Sequence, residues 1–388
     1  MPIFGRKARS PGRQPAHNGP TTKHRGHHNE PYTMATRPTF GLWFRHTWLD
    51  ILTMIAMGAV GLGVYEAKPA PSRSFAVTFA SDGEVVYPEF AFPLRKEIIP
   101  IWLAAFLASI VPIVIILLMQ IRIRSFWDVN NGVLGLLYSL ISAAVFQVFL
   151  KWLIGGLRPH FLDVCKPDLS RANGQGYNNK GYQQMYFTRE ICTGDPDQID
   201  DSLESFPSGH TTAAFAGFVF LSLYLNAKLK VFSNYHPAMW KLIVLYAPIL
   251  GATLIGGALT IDEFHNWYDV FAGAVIGTMM AFSAYRMTYA SIWDWRYNHI
   301  PLNRGAPFPF QMGSGELSGA TFTRKAGWGG DGSAGLGHDK AAAHGYDDGY
   351  HNGHSAVNGS HAGNGGYANP TVPRRAVGGE VRQPEQMV

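Results

Sequence analysis

Charge is scarce in this chain. Asp, Glu, Lys and Arg supply 15% of its 388 residues, against roughly 25% in an ordinary soluble domain, which argues against a soluble enzyme. Cysteine is scarcer still. Two residues, Cys165 and Cys192, are too few for a disulfide scaffold or a cysteine-built zinc site. The first 40 residues hold no apolar run, so no cleavable signal peptide is expected. Their Pro and Gly also spoil the amphipathic helix of a mitochondrial presequence. The net charge of +5 does not point to nucleic acid, because the cations gather in the N-terminal arm and at the ends of apolar runs. A membrane surface accounts for that placement better.

What the chain does have is long apolar stretches. Six, at about 47–66, 99–120, 128–150, 211–228, 239–258 and 267–288, reach the roughly 20 residues needed to cross a hydrocarbon core. The expected fold is all-α: a polytopic membrane bundle over 47–290, between a disordered basic arm at 1–46 and a disordered Gly/His-rich tail at 291–388. Within the sixth stretch, Gly273 and Gly277 have the GxxxG spacing that lets helices approach closely. Trp293, Trp295 and Tyr297 read as an interfacial anchor.

An even number of spans puts both termini on one side, and the Lys/Arg excess near the span ends makes that side cytoplasmic. The 151–210 loop then faces the lumen or exterior and carries both cysteines. That compartment permits a Cys165–Cys192 disulfide, with two independent thiols as the alternative. The only N-glycosylation sequon, Asn358-Gly359-Ser360, falls in the C-terminal tail.

Polar residues suited to chemistry gather at three places on the non-cytoplasmic side. Lys151 and Arg158 are seven positions apart ahead of Pro159. A helix continuing through them would present both cations on one face, suited to phosphate. Phe206-Pro207-Ser208-Gly209-His210 directly precedes the fourth span. The unpaired amides of a helix N-terminus favour an anion there, Ser208 adds a hydroxyl, Gly209 admits close approach, and His210 is placed to donate a proton. His265 and Asp269 stand at i and i+4 at the head of the sixth span. A carboxylate on one imidazole nitrogen makes the other a better nucleophile or base.

In this order and on one side, the three motifs resemble those of the type 2 phosphatidic acid phosphatase family, over about residues 47–290. The run Arg158-Pro159-His160-Phe161-Leu162-Asp163-Val164-Cys165 is especially similar to the fungal and animal lipid phosphate phosphatases, including diacylglycerol pyrophosphate phosphatase. The resemblance implies that Lys151, Arg158, Ser208 and the Gly209 amide hold the phosphate of a phospholipid in the bilayer. His265 would form a phosphohistidine with Asp269 orienting its ring, and His210 would protonate the leaving alkoxide. No metal or other cofactor is implied.

One departure stands out. The family's third motif opens with Ser-Arg, where this chain has Ala258-Leu259, and Phe264 replaces a frequent Arg. Losing one such donor from a preorganised site costs roughly 2.7–4 kcal/mol, unless another cation enters. Lys166, Arg171, Lys180 and Arg189 are the candidates in the 151–210 loop. The alternative reading is a protein that binds lipid phosphate head groups with little turnover. A transporter fits the spans but not their lack of ionisable groups at depth.

Overall fold

The computed structural model describes residues 37–67, 74–78, 86–172, 174, 178–234, 236–304, 307–308 and 310. Most of the basic arm, most of the tail and the Asn358 sequon lie outside the described residues.

Six helices are long and apolar enough to cross a membrane: α1 (Phe40–Tyr65), α2 (Ile101–Ile123), α3 (Phe126–Leu153), α6 (Gly209–Leu229), α7 (Met239–Ile261) and α8 (Trp267–Thr288). Local chemistry sets their ends. Ser125 caps α3 by accepting from the Asp128 amide at 3.3 Å. Arg124 and Lys230 leave α2 and α6 in the left-handed conformation. Asn266 and Asp269 form a reciprocal capping box on α8.

The apolar stretches expected from sequence each appear, with shifted edges. The first begins seven residues early, at Phe40 rather than 47, because Trp43 donates to Asn130 of α3 at 2.7 Å and holds that turn against the bundle. The fold also runs past 290. Ala290 N donates to Ile300 O at 2.9 Å, Leu302 N donates to Thr288 O at 2.9 Å, and Ala290, Ile300 and Phe308 form a small core of their own. The Trp293 side chain is largely exposed and packs on Phe282, as an anchor at the bundle end would.

At the centre stands α6, which packs against α2, α3, α7 and α8, while α1 packs against α3. Burial follows this order: 83% of the apolar window of α6 is covered, against 11% of that of α1. Large side chains such as Ile55, Leu62, Trp102, Leu118, Leu254 and Phe271 point outward, which suits contact with lipid. Gly273 and Gly277 are where α8 meets α6. A Cβ at Gly277 would stand 2.5 Å from Thr212 O, and one at Gly273 2.7 Å from Ser208 O.

The 151–210 loop, joined by a strand from the segment between α1 and α2, is a folded cap at one end of the bundle. Strand β1 (Ser74–Ala76) pairs antiparallel with β2 (Tyr186–Thr188), placing Phe75 opposite Phe187. Two short helices, α4 (Phe161–Cys165) and α5 (Pro196–Ser202), pack against each other, and Cys165 and Cys192 are disulfide-bonded. Phe75, Phe161, Phe187, Ile191, Ile199 and Leu203 fill its core.

Candidate active site

All three sequence motifs meet where the cap joins the bundle. Lys151 lies in the last turn of α3. The helix does not continue to Arg158 as the spacing suggests, because Gly155 (φ +56°) and Gly156 (φ +118°) turn the chain out of it. Arg158 is returned to Lys151 by backbone pairing instead. Gly156 N donates to Leu203 O at 3.0 Å and Arg158 N to Ser202 O at 2.9 Å, while Ser205 N and Phe206 N donate back to Gly156 O and Gly155 O. The first motif is thereby clipped to the approach to the second.

Ser208 caps α6, its Oγ accepting from Thr211 Oγ1 at 3.1 Å and Thr211 N at 3.4 Å. Those contacts leave the hydroxyl proton for another acceptor. Gly209 and His210 open the helix, and Ser208 N donates to Asp269 O at 3.1 Å, which clips the second motif to the third. His210 is buried, with Nε2 unpartnered, while its ring engages the Ile99 backbone. The bonded nitrogen is therefore Nδ1.

Phe264 N and His265 N both donate to Leu259 O at 3.1 Å, and this double contact sets the turn that presents the His265 ring. Leu259 itself is fully buried. His265 Nδ1 lies 3.6 Å from Asp269 Oδ2, just beyond hydrogen-bond reach, and the two imidazole centroids are 6.4 Å apart. Burial pushes the His265 ring down to about 4; Asp269 pulls it upward and Arg158 adds to the downward push. The ring is thus neutral near pH 7.

Several residues of this site were not singled out from the sequence. Asp269 Oδ2 accepts from Ser205 Oγ at 2.5 Å, from Asn266 N at 2.9 Å and from Asn266 Nδ2 at 3.4 Å, while its Oδ1 is buried without a partner. Asp201 Oδ1 accepts from Arg158 Nη2 at 2.6 Å and lies 3.9 Å from Lys151 Nζ, which is 3.5 Å from Glu204 Oε2. For Ser205 and Glu204 the one available signal was adjacency to Phe206-Pro207-Ser208-Gly209-His210. Asp201 and Ile99 carried none, since a fold-wide turn brings each of them in.

A cavity of about 600 Å³ opens beside these groups, lined by Arg95, Lys96, Glu97, His160, Asp201 and Phe264 among others. Its near wall is the extended segment before α2, pinned where Leu94 N donates to Asp163 Oδ2 at 2.9 Å and Ile98 N to Asp262 Oδ2 at 3.1 Å. Of the four cations expected to compensate for Leu259, Arg171 bonds Cys192 O and Arg189 pairs with Asp200, both within the cap, while Lys166 and Lys180 are exposed. The cations that line the cavity are Arg95 and Lys96. Among the described residues, no group of three or more His, Cys, Asp or Glu side chains is disposed to hold a metal ion.

Residues 132–293 match the PAP2 superfamily model. The chain is 33% identical over 257 residues to lipid phosphate phosphatase 2 of Arabidopsis thaliana, covering 66% of this chain and 81% of that one. Lipid phosphate phosphatase 1 of the same plant is 32% identical over 246 residues, 63% of this chain and 68% of the relative. Diacylglycerol pyrophosphate phosphatase 1 of Saccharomyces cerevisiae is 28% identical over 247 residues, 63% and 80% of the two chains. No solved structure matches this chain.

Proposed function

This chain belongs to the PAP2 superfamily, and from that membership and the site's geometry we propose that it is a metal-independent lipid phosphate phosphatase acting through a phosphohistidine. Its substrates are phosphomonoesters in the bilayer such as phosphatidic acid, or the pyrophosphate relative of that lipid. The observation that carries the proposal is the pairing of a buried, neutral imidazole with a carboxylate, His265 beside Asp269, across from a second buried imidazole, His210.

Lys151 and Arg158 neutralise the phosphoryl oxygens, and the Ser208 hydroxyl and Gly209 amide add donors at the positive end of α6. The Asp269 carboxylate, 3.6 Å from His265 Nδ1, favours the tautomer with its proton on that nitrogen, so the Nε2 lone pair attacks phosphorus. His210 enters this step as the imidazolium, charged opposite the bound phosphoryl oxygens, with Nδ1–H on the Ile99 carbonyl. As the P–O bond breaks, its Nε2 gives the second proton to the departing alkoxide, which leaves as a neutral alcohol, and His210 is left neutral. His210 then takes a proton from water as that water attacks phosphorus. The P–N bond breaks, phosphate leaves and His265 is restored neutral. Arg95 and Lys96 are the cations available to offset the missing guanidinium at Leu259. The active site faces the lumen or exterior, and the termini the cytoplasm.

The test is phosphate release from phosphatidic acid in detergent micelles, with EDTA present. Release by the wild-type chain, with loss of at least 10³-fold on His265→Ala, is expected for a nucleophile. Equal turnover by His265→Ala overturns the mechanism. Lipid binding without release by the wild-type chain leaves a head-group binder, the reading favoured by the buried Leu259.

A further inference from the structure

We propose that Asp201, assisted by Glu204, is a specificity-determining counter-anion: its carboxylate occupies the phosphate-binding face of Arg158 and must yield to the incoming phosphoryl group. This rests on reading Lys151 and Arg158 as the phosphate ligands.

The two partners differ sharply in freedom. The Arg158 side chain is 6% exposed and that of Asp201 51%, so the cation is built into the wall while the anion borders the open cavity. The carboxylate therefore lies between the guanidinium and the space a substrate would fill. It also sits within ion-pair distance of both phosphate-site cations, at 2.6 Å from Arg158 and 3.9 Å from Lys151.

Arg158 does not need this carboxylate for its orientation. Its Nε donates to the Asp201 carbonyl oxygen at 3.0 Å, its backbone N donates to Ser202 O at 2.9 Å, and its guanidinium lies over the Phe264 ring at 5.4 Å. All three contacts survive a rotation of the Asp201 side chain about χ1. Helix α5 itself is held by the buried Ile199 and by the pairing of Asp200 with Arg189. The moving part is a single rotamer. Glu204 makes the same pairing with Lys151 at 3.5 Å but is nearly buried, at 12% exposed, so it shields rather than swings.

A phosphoryl group entering this site meets carboxylates as well as cations, and like charges at contact distance repel strongly when partly desolvated. The consequence is a site that holds its own product weakly. A lipid ester, held also by its acyl chains, bears that cost more readily than free phosphate does.

The probe is inorganic phosphate, titrated calorimetrically into the full chain in detergent micelles, beside KM for phosphatidic acid. Asp201→Asn keeps the carbonyl contact and removes the charge; phosphate is expected to bind about fivefold to tenfold tighter, with a matching fall in KM. Glu204→Gln should shift both in the same direction by less, and Arg158→Ala should lose phosphate binding. Unchanged or weaker phosphate affinity in either carboxamide variant, if it melts cooperatively, overturns the proposal and makes the carboxylates supports for the cations. Glu204→Gln decides the matter alone if Asp201→Asn does not fold. Phosphate binding needs no turnover, so tighter binding by a chain that releases nothing from phosphatidic acid would sustain this inference while ending the phosphatase reading.

Discussion

Asp269 spends its hydrogen-bonding capacity unevenly. Three donors converge on Oδ2 and none reaches Oδ1, and the buried His265 Nδ1 is likewise unpartnered. The strongest of the three donors is Ser205, at 2.5 Å and fully buried. A hydrogen bond to a charged group contributes roughly 1.5–3 kcal/mol. Ser205→Ala should therefore lower kcat about 10- to 100-fold with little change in KM, since the loss falls on the alignment of His265 and not on lipid binding. An unchanged kcat would assign that alignment to Asn266 alone. The pH profile makes a second demand. His265 attacks only when neutral, and burial holds its ring at about 4, so kcat/KM should fall on the acid side as pH drops through about 4. An acid limb nearer the ordinary imidazole value would mean that water reaches the ring.

Among the elements, α6 and α8 carry the most, because one brings Ser208 and His210 and the other Asp269. Their close approach depends on Gly273 and Gly277, with Gly277 facing backbone at 2.5 Å. Gly277→Val should abolish both activity and a cooperative melt, whereas Gly257→Ala, which meets nothing within 4 Å, should leave both intact. The GxxxG spacing was legible in the sequence, as were the spans and the three motifs, since each is a local pattern of apolar period or residue type. The cap was not. Its core is drawn from Phe75, Phe161, Phe187 and Ile199, which are scattered over more than a hundred positions in segments too short to show a period. Arg158 was misplaced for a related reason: helical spacing was assumed where Gly155 and Gly156 break the helix, and the pairing that restores it involves residues 202–206.

At the scale of the whole molecule, the end of the bundle opposite the cap holds a buried polar cluster unconnected with the chemistry. Lys228 and Asp128 form a 2.5 Å ion pair with both side chains wholly buried. Asp128 also accepts from Tyr224 at 2.7 Å and Gln120 at 2.9 Å. Lys230 donates to Trp295 O and Asn298 Oδ1, tying the segment after α8 to the end of α6. Breaking a buried pair from one side costs roughly 3–5 kcal/mol because the other charge is stranded. Lys228→Met should accordingly lower the melting temperature sharply in detergent, and adding Asp128→Leu should recover part of it. Equal melting of the single and double variants would show the two charges to be uncoupled.

The same segment closes the fold in a second way. Arg304 donates to His46 O and to the Tyr138 hydroxyl, both at 2.8 Å, and ion-pairs with Asp50, which also accepts from Tyr138 at 2.5 Å. Helix α1, the first of the six in chain order, is thus fastened by a residue made some 250 positions later. Until Arg304 emerges, α1 rests chiefly on α3, and Asp50 and Tyr138 have only each other. Assembly in the membrane therefore has an order: α2, α3, α7 and α8 settle around α6, and α1 is locked last. Chains cut just before Arg304 should insert and yet leave α1 loose, accessible to protease at the end where it meets α3.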